Sequence, residues 1–307
     1  MKAVFYGGMW FVYSVLCAAS WALANILDSI LVHRYEKNPM VLMGFFGGIR
    51  LIVLPFIWFL WPVQTNFAPL LLGCGALLYA AAVLYIYVLE KIDASVTQGA
   101  WAVESIILSL LAFALLGESW TVLQTAGALL ILSAVFALAY WHTHVSVPRT
   151  VGLLVLLGVI AAPAEFGAKY ALEQGVGPVS ALFWYLMGTC LMSVSVALVT
   201  PNVRTKIIKL MQISIPTFRL CVLLSAAASF AGFVLTILAY NSGPLSLVTI
   251  VINLQAFMVI LLAWLLVQTK TTHVPKELLT RKSLQVKITT FTMVFIGLAL
   301  LVWNGHG

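Results

Sequence analysis

Glu104 stands alone in a long apolar run, and that isolation makes it the first residue to ask chemistry of. A carboxylate at such a depth costs several kcal/mol unless it is paired, hydrated or protonated. Such a group suits proton coupling or the binding of a cation; the plainer alternative is a protonated side chain bonded to a neighbouring segment. Trp101, one turn earlier, sets an indole beside the carboxylate, a reasonable cradle for a substrate cation. Glu165 and Lys169 are four residues apart, on one helical face and able to pair. They form either a structural ion pair or a clamp for the ammonium and carboxylate of a zwitterion, and Pro163 just before them invites a kink. Arg50 is also central in an apolar run and must find a carboxylate or water; it is expected to be structural. Asp28 is close enough to a helix end to snorkel, whereas Asn25 is deeper and better placed to touch a ligand. Asn253 and Gln255 cannot both face one direction on a continuous helix.

The elements that carry these residues are ten apolar stretches, at 8–32, 39–61, 67–89, 94–116, 120–140, 150–172, 176–199, 217–241, 244–267 and 287–304. Each is near the ~20 residues needed to cross about 30 Å of hydrocarbon. The chain is 63% hydrophobic and 8% charged, with mean hydropathy +1.09, so its apolar surface cannot be hidden in one water-soluble core. Lipid must cover it. Backbone amides at that depth have no water partner, so the stretches are helices, and nothing suggests the short alternating strands of a barrel. The joining loops are short; the longest, Gln268 to Gln285, is polar and basic, a surface connection or at most an interfacial helix. Lys2, an apolar run and Ala22-Leu23-Ala24 loosely resemble a cleaved signal peptide. Cleavage would remove a helix that the repeat described below requires.

Several function classes are excluded or disfavoured. Cys17, Cys74, Cys190 and Cys221 lie singly in apolar stretches with no CxxC pair, as small buried hydrophobes. The five histidines, His33, His142, His144, His273 and His306, all fall in loops or at helix ends. His142 and His144 could touch a metal but read as solvated loop residues. With no HExxH motif, no GxxxxGK[ST] loop and no nucleophile–base pair at one depth, neither a metalloprotease nor an ATP-driven pump nor another membrane enzyme is expected. No metal and no cofactor is expected.

The net charge of +7 is no nucleic-acid footprint, because the basic residues sort by membrane side. Arg34, Lys37, Lys91, Arg149, Arg204, Lys206, Lys209, Arg219, Lys270, Lys276, Arg281, Lys282 and Lys287 lie in or beside odd-numbered loops. Lys2 is at the opposite surface, and Arg50 and Lys169 lie within spans. By the positive-inside rule the odd-numbered loops are cytoplasmic and both termini face out.

Two halves can be laid over each other, residues 1–145 and 146–307. Ala94-Ser95-Val96 matches Leu245-Ser246-Leu247, and that offset of 151 (245 minus 94) puts Glu104 on Gln255 and Ala112 on Ala263. Asp28 to Pro39 likewise resembles Lys169 to Pro178. Five spans per half is an odd number, so the second copy enters the membrane from the opposite side. The fold expected is therefore an all-α membrane protein of ten transmembrane helices in two inverted five-helix repeats. Inverted repeats of this kind build transporters around a site near the bilayer midplane. As the repeat mate of Glu104, Gln255 is preferred to Asn253.

Lys91-Ile92-Asp93-Ala94-Ser95, Val103-Glu104-Ser105, Leu116-Gly117-Glu118-Ser119-Trp120-Thr121, Gln124 and Gly127-Ala128-Leu129-Leu130-Ile131-Leu132 together resemble the ten-helix drug/metabolite transporter superfamily, of EamA type. The resemblance covers almost the whole chain and is strongest over residues 91–135. It implies a cavity lined by the first, third, fourth, sixth, eighth and ninth spans, with the fifth and tenth as scaffold, where Gly127 and Gly297 allow close packing. Trp21, Tyr79, Trp101, Phe166, Tyr170, Phe230 and Tyr240 fall on the cavity-lining spans; Trp61, Trp141 and Trp303 read as interface anchors. The candidate substrate-binding residues are thus Glu104, Trp101, Glu165, Lys169, Asn25, Gln255, Trp21, Tyr79 and Phe166. Ser105 and Ala256 stand where the family often has a helix-kinking proline, which argues against backbone opening at either place. Gln268-Thr269 replaces the second glycine-glutamate, and Glu118 is expected to cap the amides of the fifth span.

The function expected is secondary active transport of a small polar metabolite, an amino acid or related amine, with protons as a possible partner and the lipid bilayer as solvent. An exporter of lipophilic or quaternary-ammonium cations is the nearest alternative, and a lipid flippase the next. Location is expected in a cell membrane of the bacterial inner-membrane kind, multi-pass, as monomer or homodimer.

Overall fold

The structure is a computed structural model that describes residues 8–91, 97, 99–142, 147–268 and 281–302. All of its regular elements are helices: α1 (Met9–Arg34), α2 (Pro39–Leu60), α3 (Ala68–Leu89), α4 (Gly99–Leu111, continued by a π turn at Ala112–Leu116), α5 (Val122–His142), α6 (Val147–Glu173), α7 (Pro178–Val199), α8 (Pro201–Met211), α9 (Pro216–Ser242), α10 (Leu245–Ile252), α11 (Gln255–Gln268) and α12 (Arg281–Val302). Each of the ten expected spans holds an apolar helix. Among the described residues seven are long and apolar enough to cross a membrane, and Trp101–Leu116, Val122–Ala137 and Thr289–Leu300 are shorter apolar helices.

Helix starts are written locally. Proline occupies the first turn of α2, α3, α7, α8 and α9, where its missing N–H is not needed. Asn38 caps α2, its Oδ1 accepting from the backbone N–H groups of Met40 at 3.0 Å and Val41 at 3.4 Å. The outside of the bundle is as oily as its inside: Phe56, Phe59, Leu223 and Phe295 are all more than 60% exposed, the surface that acyl chains cover.

Two features depart from expectation. The connection between α7 and α9 was expected to be plain, yet it holds α8. Val203, Ile207 and Leu210 of that helix are buried, toward α2, while Arg204, Lys206 and Lys209 are exposed. The ninth span is broken into α10 and α11, with Asn253 and Leu254 in the turn, although Ala256 and not proline follows. The fourth span, by contrast, runs through Ser105 as an unbroken helix, as the serine predicts, and opens only at its π turn. The stretches 92–96 and 269–280, with the Ala94-Ser95-Val96 match and most of the basic ninth loop, lie outside the described residues. So do the side chains of His142 and His144.

Packing follows a pattern in which contacts map onto one another when each span is exchanged with the one five later. α1 packs on α9 as α6 packs on α3; α6 packs on α4 as α1 packs on the α10–α11 span. α2 meets α7, α4 meets α10 and α5 meets α12, each span touching its own counterpart. α5 and α12 approach through Gly127 and Gly297, where a Cβ on Gly297 would lie 2.8 Å from the Gly127 carbonyl oxygen. The pattern breaks most clearly where α3 also runs close along α7, with no contact of similar extent between α2 and α9 among the described residues. At that crossing Gly75 and Gly188 face each other, and a Cβ on Gly75 would collide with the Tyr185 carbonyl oxygen.

Candidate functional site

A cavity of about 130 Å³ lies between the helices, lined from α1, α2, α3, α4, α6, α7, α9 and both halves of the broken span. That is room on the order of ten waters, or one small solute in their place. Of the nine residues singled out in the sequence, Trp21, Asn25, Tyr79, Trp101, Glu104, Glu165 and Gln255 line it. Phe166 and Lys169 do not. Phe166 stacks on Tyr170, with ring centroids 6.4 Å apart.

The Glu165–Lys169 pairing expected from their spacing is not formed. Lys169 instead meets Glu173, one turn further on, at 2.7 Å. Its ammonium also donates to the carbonyls of Tyr240 at 2.7 Å and Gly243 at 3.0 Å. Those carbonyls end α9, and a cation there satisfies groups the helix leaves unpaired. Lys169 is therefore a buried cap that joins α6 to α9. Glu165, left free of it, accepts a 2.9 Å hydrogen bond from the Tyr185 hydroxyl on Oε1.

Four polar atoms of this cavity are buried without a hydrogen-bond partner among the described residues: Glu104 Oε1, Glu165 Oε2, Asn25 Nδ2 and the Tyr79 hydroxyl. Asn25 is held by its other end, Oδ1 accepting from the Tyr85 hydroxyl at 2.7 Å, so its amide N–H₂ is presented to the cavity. Trp21 is pinned edge-on to Phe233 at 4.8 Å, and Trp101 lies 6.1 Å from Tyr85. The wall is thus aromatic, with a few fixed polar groups, the ordinary composition of a small-molecule site.

Asp28, Arg50 and Asn253 line the cavity against the reading of the sequence. Asp28 does not snorkel; it is buried, accepts a 2.6 Å hydrogen bond from Ser225 and faces the cavity. Arg50 lines the cavity with its guanidinium carbon 5.1 Å from the Phe233 ring centroid. Asn253 lines it together with Gln255, because the turn between α10 and α11 resets the helical register that would have sent them apart. Asn253 Nδ2 donates to Ser105 Oγ at 2.7 Å, so the serine that replaces proline in α4 steadies the break in the facing span. Tyr240, expected among the cavity aromatics, lies at the cavity's even-loop side.

The even-numbered loops are tied to one another. Gln64 donates its backbone N–H to Ser180 Oγ at 2.9 Å and receives Gly177 N–H on Oε1 at 3.0 Å; its carbonyl accepts from the Trp184 indole at 2.7 Å. Glu118 accepts from the backbone N–H groups of Leu245 at 2.6 Å and Ser246 at 3.1 Å, and from the Ser246 hydroxyl. It therefore caps α10, not the fifth span as expected. α5 carries its own reciprocal cap between Thr121 and Gln124. At the odd-loop end the ion pair present among the described residues is Glu36–Lys206, at 3.8 Å, with the lysine exposed and the glutamate mostly covered.

Residues 8–140 match the EamA-like transporter family. A solved structure described as "Crystal structure of protein" has a TM-score of 0.66 to this chain, at 14% identity, covering 95% of this chain and 96% of that one. At that identity the likeness speaks for the fold alone. No curated protein matches the sequence. The chain is thus a multi-pass membrane protein whose residues 8–140 are similar to EamA-like transporters.

Proposed function

We propose that this protein is a secondary active transporter that moves a small polar metabolite, an amino acid or related amine, by alternating access with protons as the coupling ion. The carrying observation is the convergence on one cavity of two carboxylates with unpartnered oxygens, Glu104 and Glu165, inside a cage of aromatic rings. Unpaired acceptors in a low-dielectric site favour an ammonium group, and rings such as Trp21 and Trp101 favour it further. The contact pattern that repeats with a period of five spans supports two halves, 1–145 and 146–307, that exchange roles around the cavity. The ties among even-numbered loops make that end the closed one.

Reconstituted uptake tests the proposal. Zwitterionic amino acids or their amines should compete for transport driven by an imposed proton gradient. A second reading, export of lipophilic cations, gains from the position of Lys169 outside the cavity lining, which leaves the wall more acidic. Competition by quaternary ammonium compounds with none by zwitterions would favour it. The basic odd-numbered loops support a cytoplasmic position for that face. Tags at both termini should accordingly be reached by antibody from outside intact cells, and protection of both tags until permeabilisation would reverse the orientation.

A further inference from the structure

Arg50 is a charged group of the cavity wall whose guanidinium makes no direct ion pair among the described residues, although the Asp28 carboxylate acts on it through space. Of the two ion pairs among the described residues, one joins Lys169 to Glu173 and the other Lys206 to Glu36. Arg50 belongs to neither, and no hydrogen bond from it is found among the described residues. Asp28 lies near enough for its charge to act on Arg50, but its Oδ1 accepts from Ser225 at 2.6 Å and no hydrogen bond joins it to the guanidinium. What holds the guanidinium is the face of Phe233 beneath it, a ring that in turn meets Trp21 and Tyr185 edge-on. Stacking orients the plane of an arginine while leaving its edge donors free, the posture that receives a carboxylate in two parallel hydrogen bonds.

The unpartnered acceptors line the same cavity. Tyr185 packs against Phe233 with ring centroids 6.3 Å apart and holds Glu165 through its hydroxyl. The cavity therefore presents a guanidinium whose edge donors are not hydrogen-bonded and carboxylate oxygens without a partner among the described residues. Opposite charges that make no direct contact with each other in one enclosed cavity are best answered together by a ligand that carries both. A simple amine would satisfy Glu104 or Glu165 and leave Arg50 stranded; a simple acid would do the reverse.

We infer that the substrate is a dipolar metabolite bearing both an ammonium and a carboxylate, and that Arg50 is the residue that anchors the carboxylate. This deepens the transporter reading and rests on it. It moves the anion-binding role, which the sequence offered to Lys169, to a residue on a different helix.

The test uses the full-length protein in detergent and in proteoliposomes. Amino acids are compared with their decarboxylated partners, leucine with isoamylamine and γ-aminobutyrate with propylamine, by thermal shift and by competition for uptake. The wild type should be stabilised by one or more zwitterions at concentrations at least tenfold below those of the matching amines. In Arg50→Gln that preference should vanish, with amine binding retained. Arg50→Lys, which keeps the charge but loses the planar fork, should recover part of it and guards against a folding failure in the glutamine variant. Equal binding of zwitterion and amine by the wild type overturns the inference while leaving a transporter of amines intact. An unchanged preference in folded Arg50→Gln overturns the role of Arg50. Failure of zwitterions and amines alike overturns both the inference and the transporter reading it rests on.

Discussion

Replacing Glu104 with glutamine is expected to abolish proton-driven transport while the protein still folds. The side chain is 7% exposed, lines the cavity, and offers one oxygen that nothing in the described residues engages. Glutamine matches its shape, so the packing around it need not change. What is lost is a group that can carry a negative charge and exchange a proton. Truncating one partner of a buried charged contact costs about 2–5 kcal/mol, which is more than tenfold in affinity. Uptake in proteoliposomes should therefore fall to the level of empty vesicles under a proton gradient, with an unaltered size-exclusion profile and unfolding temperature. Wild-type rates in the mutant would remove Glu104 from the mechanism.

The second large effect concerns stability and needs only one methyl group. Gly75 sits where α3 and α7 touch backbone to backbone, against Tyr185, Gly188 and Thr189. A Cβ there meets main-chain atoms, which cannot rotate away as a side-chain tip would. Overpacking of this kind costs about 1–3 kcal/mol, and contact with three backbone atoms of α7 argues for the upper end. Gly75→Ala should lower the thermal unfolding midpoint in detergent and reduce the monodisperse fraction. Gly73→Ala is the control: the same helix and the same substitution, with nothing within 4 Å of the new Cβ. Equal midpoints for the two variants would show that the crossing is looser than described.

Much of the fold was legible because lipid leaves a chain few options. Apolar stretches of spanning length must be helices, and their positions agree with the observed elements to within a few residues at most ends. The departures have local causes. α8 escaped notice because its apolar residues are sparse and its charges resemble those of an ordinary cytoplasmic loop, so only the 3–4 spacing of Val203, Ile207 and Leu210 betrays it. The break between α10 and α11 carries neither proline nor glycine. It depends on Asn253 reaching Ser105 on a different helix, information that no local window contains.

The site was legible in its residue types and less so in its pairings. Lys169 has an acid on both sides at helical spacing, Glu165 before it and Glu173 after it. Intrinsic preference favours the acid that comes first. The carbonyls at the end of α9 reversed the choice, because they lie toward the surface and draw the ammonium that way. Arg50 was discounted because α2 was not expected at the cavity; Phe233, brought over from α9, is what holds it there. Spacing along one helix locates a face, but the partner is chosen by whatever another helix places opposite.

The central claim is that Glu104 faces a wet space between two halves of the bundle and not lipid. It can be tested with one cysteine at position 104 in a protein whose Cys17, Cys74, Cys190 and Cys221 have been replaced by serine or alanine. In proteoliposomes, a charged, membrane-impermeant methanethiosulfonate should modify that cysteine, and a transported substrate should slow the reaction. A cysteine that resists the charged reagent yet reacts with a lipid-soluble maleimide would put position 104 against acyl chains, and the account would fail.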